Sequence, residues 1–597
     1  LARIRVPVAS ADGKGIVLVR FPLLDGAGRP AGEPVELVLP RFNLGVVCDD
    51  CVGQNELYPR HYQSMPWFGF MEGDHGLYVG AHDPRGAVKR VRAAGPAKPG
   101  TSYFELYPEH SGTPGNAVEM DWWTEIAPVC ADRGWPTLSY LYRRWVTANT
   151  PWGRAPPLIE RDHPPRAFKE GAWWFTQSVA HDAGVKRLLE GTLEGRALMR
   201  SGITAHMWVS WHVGGMDRGF PVFEPKPAAA EAVAAAQRHG AWVFPYVNAG
   251  HTDQSTAPAE SGRPQGCDTA HSRYPLLWEG TRRLPSGRRP FGKPASGACL
   301  VRMNAAYPPW RKAVREVAAA TVSRLGSHGL YVDVLGNAYP GSWDSNGHER
   351  GLGSWLASSE RSLMAEARPP NTVVSSEGAL EQMIGVADVH MHYLPSPQSM
   401  APLFMAVHHE RALVAGFRSL PPDDEVALGI KIGLATVWGL QPGNVNLQPH
   451  RPSGDANVEF ANRLLEARQQ LRDWLVYGEF ISPLQPGRSA ESTSVTTRSW
   501  CDHPSNCDPE VFTRPAIEAV WYRSPAGRDV VVFVNLAKRA ARLVAKVPAP
   551  FAASRPVVRE VDGSRVGEAV RVAEGAEMVL EAPGRSVRYV DFAPPTP

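Results

Sequence analysis

From Ile4 to about Ala127 short apolar runs are broken by Gly, Pro and Asp, with strand-like pieces at 15–21, 35–39, 76–81 and 102–106. Runs of that length between turn-forming residues predict an all-β domain. The segment 138–145 then places apolar residues at helical spacing and leads into a Pro-rich linker over 150–165, where the first domain boundary is expected.

Beyond the linker the pattern changes. Short apolar strands at 172–176, 205–211, 241–248, 330–335, 372–376, 387–393 and 412–417 alternate with amphipathic helices, and an eighth strand is expected near 433–443. Alternation of this kind predicts parallel βαβ units. Pro309 suits the first turn of a helix that sets Trp310, Val314, Val317, Thr321 and Leu325 on one face and stops at Gly326. The Ala-rich segment 227–239, closed by Gly240, reads the same way. Nearly 300 residues of βα repeats, without a Gly-rich phosphate loop after Thr176, fit a closed (β/α)8 barrel better than a doubly wound sheet. A long helix is expected over 457–477. After Pro483 strands return at 517–522, 529–535, 542–547 and 586–592, which predicts an antiparallel sandwich. The expected architecture is therefore multidomain: an N-terminal β-sandwich-like domain over 1–150, a central (β/α)8 TIM barrel over 151–485 and a C-terminal β-sandwich over 486–597.

Composition narrows the partners. In 597 residues, 63 Lys+Arg against 60 Asp+Glu leave a net charge of +3 with no basic block, so a dedicated nucleic-acid binder is not expected. No stretch approaches the ~20 consecutive apolar residues of a membrane span. The chain opens on Leu1 without a charged segment, apolar run and cleavage site, which reads as a processed or trimmed product. Seven cysteines include two close pairs, Cys48/Cys51 and Cys501/Cys507. The pairs lie too far apart in the chain for one zinc ribbon and fit short disulfides or buried thiols better. A secreted or periplasmic location is the expectation, with the cytoplasm left open.

Catalytic groups in barrels sit at the C-terminal ends of strands, so polar residues that interrupt a strand end are the candidates. Asp333 lies inside the β-branched and aromatic run 329–336, where a carboxylate is costly to bury without a task or a partner. Glu377 ends the next strand immediately before Gly378. Each also has a plain reading, a salt-bridged Asp and a loop carboxylate. Parallel neighbours are ~4.8 Å apart, so two such carboxylates can flank one substrate bond, as glycoside hydrolysis requires.

Other strand ends offer groups suited to a sugar: Trp208, Trp211, His212 and Asp217 after the second strand, Asn248 after the third, and His348 and Arg350 in the polar loop 343–350. On the sixth strand Asp388, His390 and His392 share one face by period-two alternation, which also permits a metal-dependent barrel hydrolase built on the two histidines. Barrel hydrolases of that kind carry their His-x-His on the first strand, and the run 172–177 has none. No Ser nucleophile elbow, P-loop or dinucleotide fingerprint lies in a fitting context, so no cofactor and no metal is expected.

The segments 76–83, 330–333, 346–350, 375–378 and 531–535, in that order, resemble the TIM-barrel retaining α-glycoside hydrolases, closest to endo-α-N-acetylgalactosaminidase-like proteins and a related uncharacterised family of glycoside hydrolase-like proteins. The resemblance implies a fourth-strand Asp nucleophile and a fifth-strand Glu acid/base, which fall on Asp333 and Glu377, with an oligosaccharide, polysaccharide or glycoconjugate as substrate. Amylase-like members add a His-Asp pair on the seventh strand. The segment 412–417 has none, so Asp388 or Asp217 supplies that charge or the mechanism differs in detail. A non-catalytic glycan-binding protein is the remaining alternative.

Overall fold

The computed structural model describes residues 2–4, 8–9, 14–25, 34–41, 44–60, 62–118, 122–130, 133–177, 184–209, 211–213, 217–254, 275–283, 291–292, 298–336, 351–392, 400–417, 425–445, 456–484, 493–497, 500–503, 506–508, 511–551, 554–572 and 577–593. A TIM-like domain stands between β-rich regions. Eight strands make one parallel sheet whose neighbours follow chain order: Ala172–Gln177, Ile203–Trp208, Ala241–Asn248, Gly329–Asp333, Val373–Ser376, Val389–His390 and Leu413–Val414, with Gly443–Val445 on the free edge of the first. Past the paired ends of the seventh and eighth strands, the Gly416 N–H donates to the Gln441 carbonyl at 2.7 Å and the Gln441 N–H to the Val414 carbonyl at 2.8 Å.

The strands alternate strictly. Trp174, Ala205, Met207, Phe244, Tyr246, Tyr331, Val373, Val389, Met391, Leu413 and Ala415 pack together on the inner face. The intervening Trp208, Val243, Val247, Leu330, Val332 and Val374 pack outward against Val233, Val314 and Val317 of the helices Ala229–Arg238 and Pro308–Leu325. Gly329 opens the fourth strand where any Cβ would meet the Phe244 ring at 2.4 Å, so the inner layer fills only because that position has no side chain. The helix Pro308–Leu325 stops at Gly326, whose φ of 64° suits glycine, as the sequence predicts.

Three expectations shift. Gly433 belongs to the helix Glu425–Val437, so the eighth strand is Gly443–Val445. Residues Ala427 through Val437 are all buried in that helix, and a helix covered on every side carries no amphipathic period to reveal it. The long helix at 457–477 is two, Ala456–Gln470 and Arg472–Leu475. Finally, the strand Glu479–Pro483 pairs antiparallel with Ile517–Arg523 in the C-terminal sheet, upstream of residue 486.

The N-terminal region stacks a six-stranded sheet on a four-stranded one. Leu37, Phe68, Val79, Val91 and Phe104 lie between them. The C-terminal region likewise packs a six-stranded and a three-stranded sheet over Trp521, Phe533, Leu543 and Leu580. Cys48 and Cys51 form a disulfide, Cys299 is also disulfide-bonded, and the Cys130 thiol is exposed. Cys501 and Cys507 are backbone partners in one hairpin. Fully buried Glu381, after the fifth strand, ties the N-terminal region to the TIM-like domain: it accepts hydrogen bonds from Tyr58 and Tyr142, each at 2.8 Å, and pairs with His408 at 3.2 Å. Among the described residues no helix is long and apolar enough to cross a membrane.

Candidate active site

The C-terminal end of the fourth strand gathers the polar groups. In register, Asn248 stands beside Asp333, and Ser376 beside Val332, so the next residue, Glu377, adjoins Asp333 on the other side. A backbone bond fixes the approach: the Glu377 N–H donates to the Val332 carbonyl at 3.3 Å. The carboxylate of Glu377 in turn accepts from the Val334 N–H at 3.2 Å. Val334 holds φ at 64°, a left-handed conformation that costs a β-branched residue about 1–2 kcal/mol. That strain sits between the two carboxylates, where it aims one backbone N–H at Glu377. Gly378, at φ 78°, makes the turn that follows.

Asp333 is partly exposed and held from below by two tyrosines. Tyr331 donates to its Oδ1 at 2.9 Å and Tyr246 contacts its Oδ2 at 2.9 Å. The two phenol rings stack at 5.8 Å. Tyr246 also hydrogen-bonds Asp217, and Asn248 Nδ2 donates to Asp217 Oδ1 at 2.7 Å and lies 3.2 Å from the Tyr246 hydroxyl. Asn248 spends its own oxygen on the N–H groups of Gly250 and His251, which fixes its amide orientation. Burial, then the charges of Glu377 and Asp217, push the Asp333 carboxyl well above the usual carboxylate range against the pull of the tyrosine hydrogen bonds. Burial likewise raises Asp217, opposed by Tyr246 and Asn248. Tyr246, enclosed beside two carboxyls, is held far above an ordinary phenol and keeps its proton.

Of the residues singled out from the sequence, Asp333, Glu377, Asp217 and Asn248 come together here. Others do not. Trp208 faces the helix layer. Trp211 is buried and supports the site indirectly, its Nε1 donating to the Tyr246 carbonyl at 2.8 Å. His212, fully buried, stacks on Phe223 at 4.0 Å, and burial lowers it to about 4. Asp388 accepts two hydrogen bonds from Arg368, at 2.9 and 2.8 Å, and one from the Val374 N–H. His390 meets Ser376 and Phe404, and His392 lies edge-on to Phe417; burial lowers both to about 3. The reason is parity: Val389 and Met391 fill the inner layer, so Asp388, His390 and His392 face outward. His348 and Arg350 lie outside the described residues. Tyr246 and Tyr331 were not among the sequence candidates, although each stands two residues before one, Asn248 and Asp333. Among the described residues no group of three or more His, Cys, Asp and Glu side chains could hold a metal ion.

A carboxylate pair at the mouths of adjacent strands, one of them gripped by hydroxyl donors, can attack and protonate the two sides of one bond. Comparison with known proteins points to glycoside hydrolase-like relatives. The chain is 23% identical over 482 residues to a Bacteroides thetaiotaomicron protein named "Putative glycoside hydrolase", covering 78% of this chain and 66% of that one. A Monosiga brevicollis protein of similar name matches at 23% over 324 residues, half of this chain and 26% of the other. The chain thus spans at most two thirds of the length of these relatives. In fold it is similar to the Bifidobacterium bifidum α-N-acetylgalactosaminidase NagBb, with a TM-score of 0.58 at 14% identity over 86% of this chain and 82% of that one. It is also similar to a single-substitution variant of the Geobacillus stearothermophilus α-galactosidase AgaA, with a TM-score of 0.54 at 10% identity over 96% of this chain and 76% of that one. The resemblance to glycoside hydrolase-like proteins holds in both sequence and fold. One family model, a domain of unknown function (DUF6259), matches residues 120–419, half of the chain, and the protein belongs to that family.

Proposed function

We propose that this protein is a glycoside hydrolase that cleaves an α-linked glycosidic bond with retention of configuration, Asp333 acting as nucleophile and Glu377 as acid/base. The observation that supports the reading is that these two carboxyl residues end adjacent parallel strands, with Glu377 accepting from the N–H of Val334, the residue after Asp333. In the first step Glu377 gives its proton to the departing glycosidic oxygen while Asp333 Oδ attacks the anomeric carbon; in the second, Glu377 takes a proton from water as water displaces Asp333. Tyr331 and Tyr246 orient the nucleophile. Asn248 and Asp217, both buried, hold the Tyr246 hydroxyl in place behind the nucleophile.

The same reading closes the parallel sheet into a (β/α)8 barrel through the Ala415–Gln441 bridge and treats the β-rich regions as two flanking domains. The names of the structural neighbours support α-galactosides and α-N-acetylgalactosaminides as first substrates to try. The test is hydrolysis of a panel of aryl α-glycosides by the protein and by Asp333→Asn. Activity that vanishes with the substitution supports the reading; equal activity in both refutes it.

A further inference from the structure

Proton counting at the site leads beyond the carboxylate pair. The Tyr246 hydroxyl has one proton and faces two carboxyl oxygens, Asp217 Oδ1 and Asp333 Oδ2. It can donate to only one of them. With both carboxyls ionised, the second contact would set lone pair against lone pair with no proton between. Asn248 cannot supply the missing proton to that contact, because its N–H groups point at Asp217 and at the Tyr246 oxygen itself. Both contacts become hydrogen bonds only when one carboxyl is protonated and donates to the Tyr246 oxygen, while Tyr246 donates to the other.

The surroundings favour that state. Asp217 is 5% exposed. Among the described residues, the groups facing these hydrogen bonds are Tyr246 and Asn248 on the third strand, Tyr331 beneath Asp333, Glu377 on the fifth strand, and Asp253, whose charge acts on Asp217. Among the described residues, the charges that act on either aspartate are carboxylates. Two like charges so close do not both ionise readily, the physics of two aspartates that hold one proton between them.

We infer that Asp217 and Asp333 share a single proton through the Tyr246 hydroxyl, which makes Asp217 a positioning residue that governs when Asp333 is ionised. The transfer balances within the chain. As the Asp333 proton passes to the Tyr246 oxygen, the Tyr246 proton passes to Asp217, and no charge leaves the three groups. Asp333 is then ionised with Tyr331 and Tyr246 both donating to it, and Asp217 is neutral. Its consequence for catalysis rests on the reading of Asp333 as nucleophile; the shared proton itself does not.

Carbon-13 NMR of the full chain, labelled at the aspartate carboxyls, tests the proton without reference to turnover. The shared state requires one aspartate that stays neutral at neutral pH, and its titration must fall by about 1–3 pH units in Asp217→Asn and in Asp333→Asn alike, because each removes one holder of the pair. Tyr246→Phe must also move it. The inference is overturned if no aspartate is neutral at neutral pH, or if the neutral one titrates unchanged in either aspartate variant. If the protein hydrolyses an aryl glycoside, the acid limb of kcat/KM must move to lower pH in Asp217→Asn by a similar amount, whatever the height of the profile. A neutral aspartate that behaves as required in a protein without glycosidase activity would sink the proposed function and leave the proton relay standing.

Discussion

On the inner face of the parallel sheet Asp333, Tyr246, Tyr331 and Asn248 bond to one another, and to Asp217, with Asp333 partly exposed, whereas on the outer face Asp388, His390, His392 and Trp208 are buried. Residue types overlap between the two faces; surroundings do not. Asp388 has an arginine and a backbone N–H to neutralise it, so its charge is structural. Among the described residues Asp333 has hydroxyl donors and two neighbouring carboxyls around it, an arrangement that favours a partner of positive character. An oxocarbenium-like transition state has that character. One residue of register therefore separates a catalytic candidate from a strut.

The largest expected effect lies on the inner face. Asp333→Asn should lower kcat on any aryl α-glycoside substrate by ~10⁴-fold or more, since loss of a nucleophile exceeds the ~10²–10⁴-fold worth of acid–base help. Glu377→Gln should cost ~10²–10⁴-fold on substrates with poor leaving groups and much less on activated aryl glycosides, with azide restoring the second step. Steady-state rates on a leaving-group series would measure both, and a Glu377→Gln defect independent of leaving group would remove its acid role.

Outer-face substitutions should act on stability instead. Asp388→Ala strands Arg368 and the Val374 N–H and should cost ~2–3 kcal/mol in denaturant unfolding, with turnover kept. A loss of turnover at unchanged stability would reverse the comparison.

The smallest effect is a pH slope. Burial lowers His206, His390 and His392 to about 3 and His212 to about 4, from an ordinary 6.5. Below 6.5 the unfolded chain binds protons that the folded chain refuses, so stability falls as pH drops from 6.5 toward 4, by up to ~1.4 kcal/mol per pH unit for each histidine. His392→Leu should flatten the slope by one proton's worth in denaturation curves taken across that range.

How far the sequence discloses this arrangement depends on what distinguishes each position locally. Asp333 and Glu377 are legible because a carboxylate at the end of an apolar strand has few structural uses. The common face of Asp388, His390 and His392 is legible too, but not which face: Val389 and Met391 are as apolar as any outward layer, and only the closing of neighbouring strands around them decides the inside. Tyr246 and Tyr331 read as core because their rings are core; their hydroxyls alone reach the site. Strand ends and the helix Pro308–Leu325 announce themselves through Pro and Gly, while the uniformly buried helix Glu425–Val437 conceals its period and displaces the expected eighth strand.

The stereochemistry of the first product tests the Asp333–Glu377 pair most directly. Direct attack by Asp333 requires its carboxyl to lie at the ~5–5.5 Å of retaining enzymes from that of Glu377, whereas an inverting enzyme admits an intervening water at ~6.5–9.5 Å. Proton NMR during the first minutes of hydrolysis of an α-glycoside, before mutarotation, should show the α-anomer of the released sugar. Initial appearance of the β-anomer would contradict the account.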